Sequence, residues 1–569
     1  MNAAHRALIR VFMPACLIAG TFACQDIVDL KETPTTFVDP ASYFKTGDQA
    51  IAAITGAYQP LMTWDDWINP AFLDMMCEEP DLFCPSWFGW GPLGAHSPDG
   101  SSWFAGRTWT ANFAVIRRVN DVLGQLDNVT LDPILEERLR GEGHFLRAYA
   151  YFEIVRRYGP APIRTTPYLP DGTYGDAVRA PTTDVYKVIV NDLKAAAKEL
   201  PVDYATKTYS NSDRGRPTAA AAYGLLAKAY LHLAGAEFTG LDKHAYNDSA
   251  KAAALAVKTT SPWVKLETDF MKNFDWQRQI SSDEILFQIG GTHQENTGMA
   301  VESFNPPDYH TAGGGGGGFT QMREPFYQTY EANDRRVQPG YAIYAQWRES
   351  YSASDTGTMS WFEPATPDSI KAVTDWQNQV GWTWTDIEEL QGANKFRLAS
   401  GTIVARVPRV FTLKYTDRTA LTKSQNSVNA IILRYADVLL ILAEAENELN
   451  GPTPLAYAAI DSVRARAGLP TLEVAKPGLT KDTFREAVWL ERRHELYAEF
   501  QTWFDLKREM GTVEVNRWLD LMNNKVAPYP GASRPNWDTH RPRQEYQMIL
   551  PLPSAELGAN RLATQNPGY

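Results

Sequence analysis

Residues 433–452 read LRYADVLLILAEAENELNGP. Apolar side chains recur at Tyr435, Val438, Leu439, Leu442, Ala445 and Leu449, the three-and-four spacing of a helix that buries one stripe. Gly451-Pro452 supplies the stop, so the spacing predicts a helix over 433–450. Residues 454–467 (PLAYAAIDSVRARA) follow as a second helix stopped by Gly468, and 481–509 continue in helical pattern. A helix, a glycine and another helix are the elements of a helix pair.

The same plan appears upstream. Residues 109–126 place Phe113, Ile116, Val119 and Leu123 on one face. Residues 134–158 begin after Asp132-Pro133, a helix-start signal, and end before Gly159. Residues 182–200 read as another amphipathic helix. Residues 217–234 (PTAAAAYGLLAKAYLHLA) start on proline and end at Gly235, with 244–258 as their partner. Ala-rich, Tyr-rich pairs of this kind are similar to tetratricopeptide units, although no clean 34-residue period runs through the chain. The fold class expected is mostly α, a tetratricopeptide-like helix-pair scaffold of stacked pairs with an irregular, loop-rich ligand-binding lobe. That lobe is 260–430, which holds short apolar runs such as EILFQIG at 284–290 and a hexaglycine at 313–318.

Residues 1–23 stand apart as a secretory signal: His5, Arg6 and Arg10 precede a short apolar stretch, 11–23, too short to span a bilayer. Cys24 follows at once. Thr21-Phe22-Ala23-Cys24 resembles a bacterial lipobox, which makes Cys24 the expected lipid anchor, tethering the chain to a membrane without crossing it. Loss of Arg6 and Arg10 with the signal takes the net charge from −12 to −14. With no dense basic run, nucleic acid is not an expected partner. Cys77 and Cys84, in CEEPDLFC, are suited either to a local disulfide in an oxidising compartment or to two buried thiols.

Four ordered blocks resemble the SusD/RagB family of nutrient-binding outer-membrane lipoproteins. They are RLRGEGHFLRAYAYFEIVRRYGPAPI at 138–163, RPTAAAAYGLLAKAYLHLAG at 216–235, LRYADVLLILAEAENELNGP at 433–452 and ILPLPSAELGANRLATQNPGY at 549–569. His144 departs from the Lys or Arg more usual in the first block. The resemblance divides the chain into a lipoprotein signal at 1–23, an N-terminal helical region at 24–259 carrying a Trp-rich loop at 80–106, the lobe at 260–430, and a C-terminal helical region at 431–569. It implies four helix pairs, display on the outer membrane, capture of oligomeric nutrients, most often glycans, and a SusC-like TonB-dependent transporter as partner. The motif residues read as scaffold: Arg434, Asp437 and Glu444 are spaced to tie neighbouring helices by ion pairs.

Ligand chemistry is therefore sought outside the motifs. Residues 87–103, WFGWGPLGAHSPDGSSW, have neither helical nor strand period. A sugar ring has an apolar C–H face and a rim of hydroxyls, and an indole matches the face at low conformational cost. Trp87, Trp90 and Trp103 are the expected faces, with Asp81 and Asp99 as hydrogen-bonding rim. The competing reading is that these tryptophans anchor a long loop. Trp64 and Trp67 flank Asp65 and Asp66 in a second candidate stretch, and Tyr309 and Trp347 are candidates in the lobe. The hexaglycine satisfies a phosphate-loop spacing only trivially. His494-Glu495 begins a zinc-protease pattern that fails at Ala498, and no metal or cofactor is expected. The function expected is non-catalytic binding of oligosaccharides or polysaccharides for delivery to the transporter. The alternative is capture of a non-glycan nutrient such as peptides, for which sheet edges or charged end-capture pockets are the recognition elements.

Overall fold

A computed structural model describes residues 44–62, 79–82, 100–101, 103–167, 175–206, 208–209, 213–290, 321–322, 324–327, 329–338, 341–348, 360–362, 388–390, 395–397, 403–404, 406–416, 427–509, 516–525 and 543–569. Met1–Lys45 forms one unit, of which only Phe44 and Lys45 are described. Thr46–Tyr569 forms the other, and all that follows concerns it.

Single-turn helices aside, the scaffold helices are α1 (Gly47–Met62), α2 (Trp103–Leu126), α3 (Pro133–Tyr158), α4 (Thr182–Glu199), α5 (Ala219–Leu233) and α6 (Lys243–Thr260). After the lobe come α7 (Tyr435–Asn450), α8 (Pro454–Arg466), α9 (Lys481–Glu495), α10 (Thr502–Arg508) and α11 (Ser554–Ala559). Each of α1 to α8 packs on the next, and the first helices of successive pairs also touch, α1 on α3, α3 on α5 and α5 on α7. Four stacked pairs result, each covering its neighbour's apolar face.

Local chemistry sets the helix ends. The Asp132 carboxylate accepts from the Ile134 amide at 2.9 Å, with Pro133 at the first position. Thr453 caps α8 by accepting from Ala456 at 3.3 Å. Gly451 and Gly468 end α7 and α8 at φ +80° and +78°, the left-handed region that favours glycine. Gly224 serves another purpose. A Cβ there would stand 2.9 Å from the Leu433 side chain and 3.2 Å from those of Leu286 and Val438, so its bare backbone lets α5 press onto α7 and onto the segments that hold Leu433 and Leu286.

Two helical expectations are corrected. The helix expected from 433 begins at Tyr435, because Ala430–Arg434 is a strand pairing antiparallel with Ile285–Ile289. Both strands are almost wholly buried, and Phe287 sets its ring 4.8 Å from Phe145 of α3. The helical pattern of 481–509 is also interrupted at 496–501, where Ala498 and Phe500 adopt φ of +58° and +57°. The cause is long-range: between them Glu499 turns inward to Arg434 and Lys414.

The motif residues tie the helices together. Asp437 accepts from Lys228 of α5 at 2.9 Å and from Arg492 of α9 at 2.8 Å. Glu444 accepts from Trp489 Nε1 at 3.0 Å and from Arg508. Arg147 forks onto Asp192 with two bonds of 2.8 Å, joining α3 to α4. His144, the departure from the family block, meets Glu199 at 2.6 Å. No described helix is long and apolar enough to cross a membrane.

Candidate functional site

Label the strands β1 (Ile285–Ile289), β2 (Gln321–Met322), β3 (Ala342–Arg348), β4 (Ser360–Phe362), β5 (Glu388–Leu390), β6 (Lys395–Arg397), β7 (Ile403–Val404), β8 (Arg406–Thr412) and β9 (Ala430–Arg434). A four-stranded antiparallel sheet runs in the order β2, β8, β3, β4. Leu82 extends it by an isolated antiparallel bridge to Met322. The register lines up Leu82, Met322, Val410, Tyr344 and Phe362 in one row across the sheet. Leu82 is the last described residue before the stretch that carries Trp87, Trp90 and Asp99. Gln321 directly follows the stretch that carries Tyr309 and the hexaglycine. Trp347 lies on β3 opposite Val407. Three candidate regions far apart in sequence thus begin or end at one sheet.

Consecutive residues of α9 fasten that edge to the scaffold. Arg493 grips Asp81 through Nε at 2.8 Å and through Nη2. Burial pulls the Arg493 pKa down, but the Asp81 charge overcomes this and leaves it above its ordinary value. His494 then meets Thr329 Oγ1 at 2.8 Å and stacks on Tyr330 with ring centres 3.9 Å apart. Burial, followed by the neighbouring arginines, holds His494 well below the usual histidine range, so it is neutral. Phe326 lies 5.7 Å from Tyr497 and 5.0 Å beneath the Arg493 guanidinium. The Glu79 carboxylate accepts from the Thr502 amide at 3.1 Å. At the far end of the Trp-rich stretch, the Gly100 carbonyl accepts from the Ser554 amide at 2.6 Å.

Behind the edge lies a buried charge cluster. Arg434 donates to Glu499 twice at 2.8 Å, to Glu284 at 2.9 Å and to Glu495 at 2.6 Å. Arg466 joins Glu284 and Glu495, and Arg336 bonds Asp334 and Glu491, each at 2.6 Å. Lys414, two residues past β8, reaches Glu499 at 2.7 Å, and its burial brings its pKa down to about 8. The two acids of the failed zinc pattern's neighbourhood, Glu495 and Glu491, are thereby occupied by arginines. Among the described residues no group of three or more His, Cys, Asp or Glu side chains is arranged to hold a metal ion.

The placement of the expected site residues is uneven. Asp81 is 3% exposed; both oxygens are bound by Arg493, so it is a strut of the loop base rather than part of an open rim. Trp103 opens α2, so the helix starts six residues before the Trp109 start that the pattern suggests, and Trp103 does not sit in a loop. Trp347 is in a strand. Trp64, Trp67, Trp87, Trp90, Asp99, Tyr309, Cys24, Cys77 and Cys84 lie outside the described residues. Sequence reasoning missed Arg493 and His494 as anchors. The only trace was the His494-Glu495 dipeptide, which stands out for a zinc pattern that fails at Ala498.

Comparison with known proteins extends this geometry. A model of the SusD family matches residues 283–569, and a model described as "Starch-binding associating with outer membrane" matches residues 101–231. The SusD-like protein P2 of Formosa agariphila is 25% identical over 95% of this chain and 96% of its own length. A SusD homolog of Bacteroides thetaiotaomicron superposes with a TM-score of 0.71 at 22% identity, covering 93% of this chain and 98% of that one. Surface glycan-binding protein A from Bacteroides thetaiotaomicron, solved in complex with laminarihexaose, gives a TM-score of 0.63 at 18% identity over 91% and 99% of the two chains.

Proposed function

The chain belongs to the SusD family, and on that premise we propose that it is a non-catalytic, lipid-anchored protein of the bacterial outer-membrane surface. It binds oligosaccharides or polysaccharides and passes them to a SusC-like TonB-dependent transporter. The observation that carries the reading is the row from Leu82 through Met322 to β3. One sheet holds Leu82 and Gln321, the described residues that adjoin the stretches carrying Trp87–Trp90 and Tyr309, and its strand β3 carries Trp347. Aromatic residues at low conformational cost suit the flat apolar faces of sugar rings. The family description that names starch and the outer membrane, and the laminarihexaose bound by a protein of the same fold, support the choice of ligand class. The lipobox-like residues up to Cys24 support the anchor.

Delivery needs only weak capture. A dissociation constant of about 1–100 μM, roughly −5.5 to −8 kcal/mol, concentrates ligand over a pore without trapping it. Calorimetric titration of residues 25–569 with laminari-oligosaccharides and a set of other glycans tests the reading. Saturable heat with one glycan class is expected. Heat from a peptide mixture and none from any glycan would replace the reading with peptide capture by strand addition or end-group recognition.

A further inference from the structure

The connection from α4 to α5 and the segment leaving α6 meet at a surface that contributes no strand to the four-stranded sheet. The Val202 carbonyl joins them, accepting from Ser261 Oγ and from Trp263 Nε1, each at 2.8 Å. With its N–H committed, the half-buried indole of Trp263 is held in place. Buried Tyr204 lies 5.9 Å from it between ring centres, and buried Tyr209 stacks on Tyr204 at 5.8 Å. The Arg214 guanidinium stands 5.4 Å from the Tyr204 ring centre, within the range of a cation–π contact.

Two further features distinguish this surface. Val202 and Ile280 are 46% and 43% exposed. Val202 adjoins Trp263, and Ile280 comes within 4.0 Å of the Cβ position of Gly215, the residue after Arg214. Apolar area is therefore grouped around a tryptophan instead of being scattered singly.

The second feature is Asp283. Its backbone is fixed at both ends: the carbonyl accepts from the Lys265 amide at 3.1 Å, and the amide donates to Glu267 at 2.8 Å. Its partly exposed carboxylate stands 3.3 Å from Lys265 Nζ and 3.8 Å from Arg214 Nη1. Neither ion pair has the geometry of a hydrogen bond, and among the described residues the carboxylate accepts none. An accessible acceptor is thus held between two accessible cationic donors, beside a fixed indole. A sugar ring matches this set: its C–H face suits the indole, one hydroxyl donates to the carboxylate, and another accepts from the ammonium or guanidinium.

On the premise of the glycan-binding function proposed above, we propose that the Trp263 surface is a second contact for the same polysaccharide, separate from the stretches rooted at the sheet. One sugar ring lies against Trp263 and Val202, and its hydroxyls bond Asp283 and Lys265. Two weak contacts on one chain reinforce each other through effective concentration, so the second contact raises affinity for long chains.

The test is affinity electrophoresis of residues 25–569 in gels of laminarin, starch or xylan, joined to hydroxyl-radical footprinting read by mass spectrometry with the retarding polysaccharide bound. Trp263→Ala also loses packing on Tyr204, so Lys265→Glu is run beside it; that side chain is 64% exposed, and its replacement leaves the fold intact. The polysaccharide concentration for half-maximal retardation should rise by about threefold or more in both variants, and bound polysaccharide should slow oxidation of Trp263 in the wild type. Equal retardation of wild type and Lys265→Glu, or Trp263 oxidation that bound polysaccharide does not slow, would overturn the second contact and leave the proposed function standing. A wild type retarded by no polysaccharide would overturn both.

Discussion

Arg493 holds Asp81 across 412 positions of sequence, with Nε 2.8 Å from the carboxylate. This pair joins the last turn of α9 to the base of the Trp-rich stretch, one residue before the Leu82 bridge to β2. Asp81→Asn would leave Arg493 largely buried without its counter-charge. Breaking such a pair costs about 3 kcal/mol, and urea unfolding should register that loss. Glycan affinity should fall with it, because the stretch would leave a less constrained base. Asp81→Leu combined with Arg493→Met should recover most of the stability and little of the affinity.

The pH dependence follows from buried carboxyls. Burial raises Glu509 from an ordinary value of 4.5 to about 8. The folded state therefore holds a proton that the unfolded chain releases, and stability falls as pH rises from about 4.5 to 8. Glu509→Gln should remove this part of the profile, gaining on the order of 3 kcal/mol at pH 8 relative to pH 4.5. Glu495 acts in the opposite sense. Burial alone would raise it, but Arg466, Arg434 and Arg336 hold it well below the usual carboxylate range. Its contribution is present above about pH 4.5 and is lost as pH falls further. Urea melts of wild type and Glu509→Gln from pH 3 to 9 should differ above pH 4.5 and run parallel below it.

Two glycines should fail for different reasons. Gly224→Ala drives a Cβ to 2.9 Å from Leu433, and overpacking of this kind costs about 1–3 kcal/mol. Gly451 has open space around its Cβ position but φ of +80°, so Gly451→Ala should cost about 1–2 kcal/mol through the backbone alone. Gly451→Asn should cost less than Gly451→Ala, since Asn tolerates the left-handed region. No such rescue is expected at Gly224. Chemical denaturation of the variants separates packing from backbone strain.

The helix pairs were legible because their signals are local. Asp132-Pro133, the apolar stripe of α7 and the stop at Gly451 each declare themselves within a few residues. The break after α9 was not legible. Ala498 and Phe500 are not residues that favour positive φ, and the turn they make serves a contact between Glu499 and Arg434, 65 positions away. Asp81 was misjudged for the same reason. An acid beside a Trp-rich stretch reads as a sugar-binding rim until its distant arginine is placed. The ion-pair role of Arg434, Asp437 and Glu444 was legible, though Arg434 acts from a strand end rather than from the helix. The convergence at the Leu82–Met322 bridge could not be read at all, since strand pairing leaves no mark in either short segment.

The central claim is that the aromatic stretches rooted at this sheet bind glycan. The most direct measurement is affinity gel electrophoresis of residues 25–569 in gels containing laminarin, starch or other polysaccharides, with wild type beside Trp87→Ala, Trp90→Ala and Trp347→Ala. The account predicts that at least one polysaccharide retards the wild type and that at least one variant runs free of it. A wild type that no polysaccharide retards, or retardation equal in all four proteins, would contradict it.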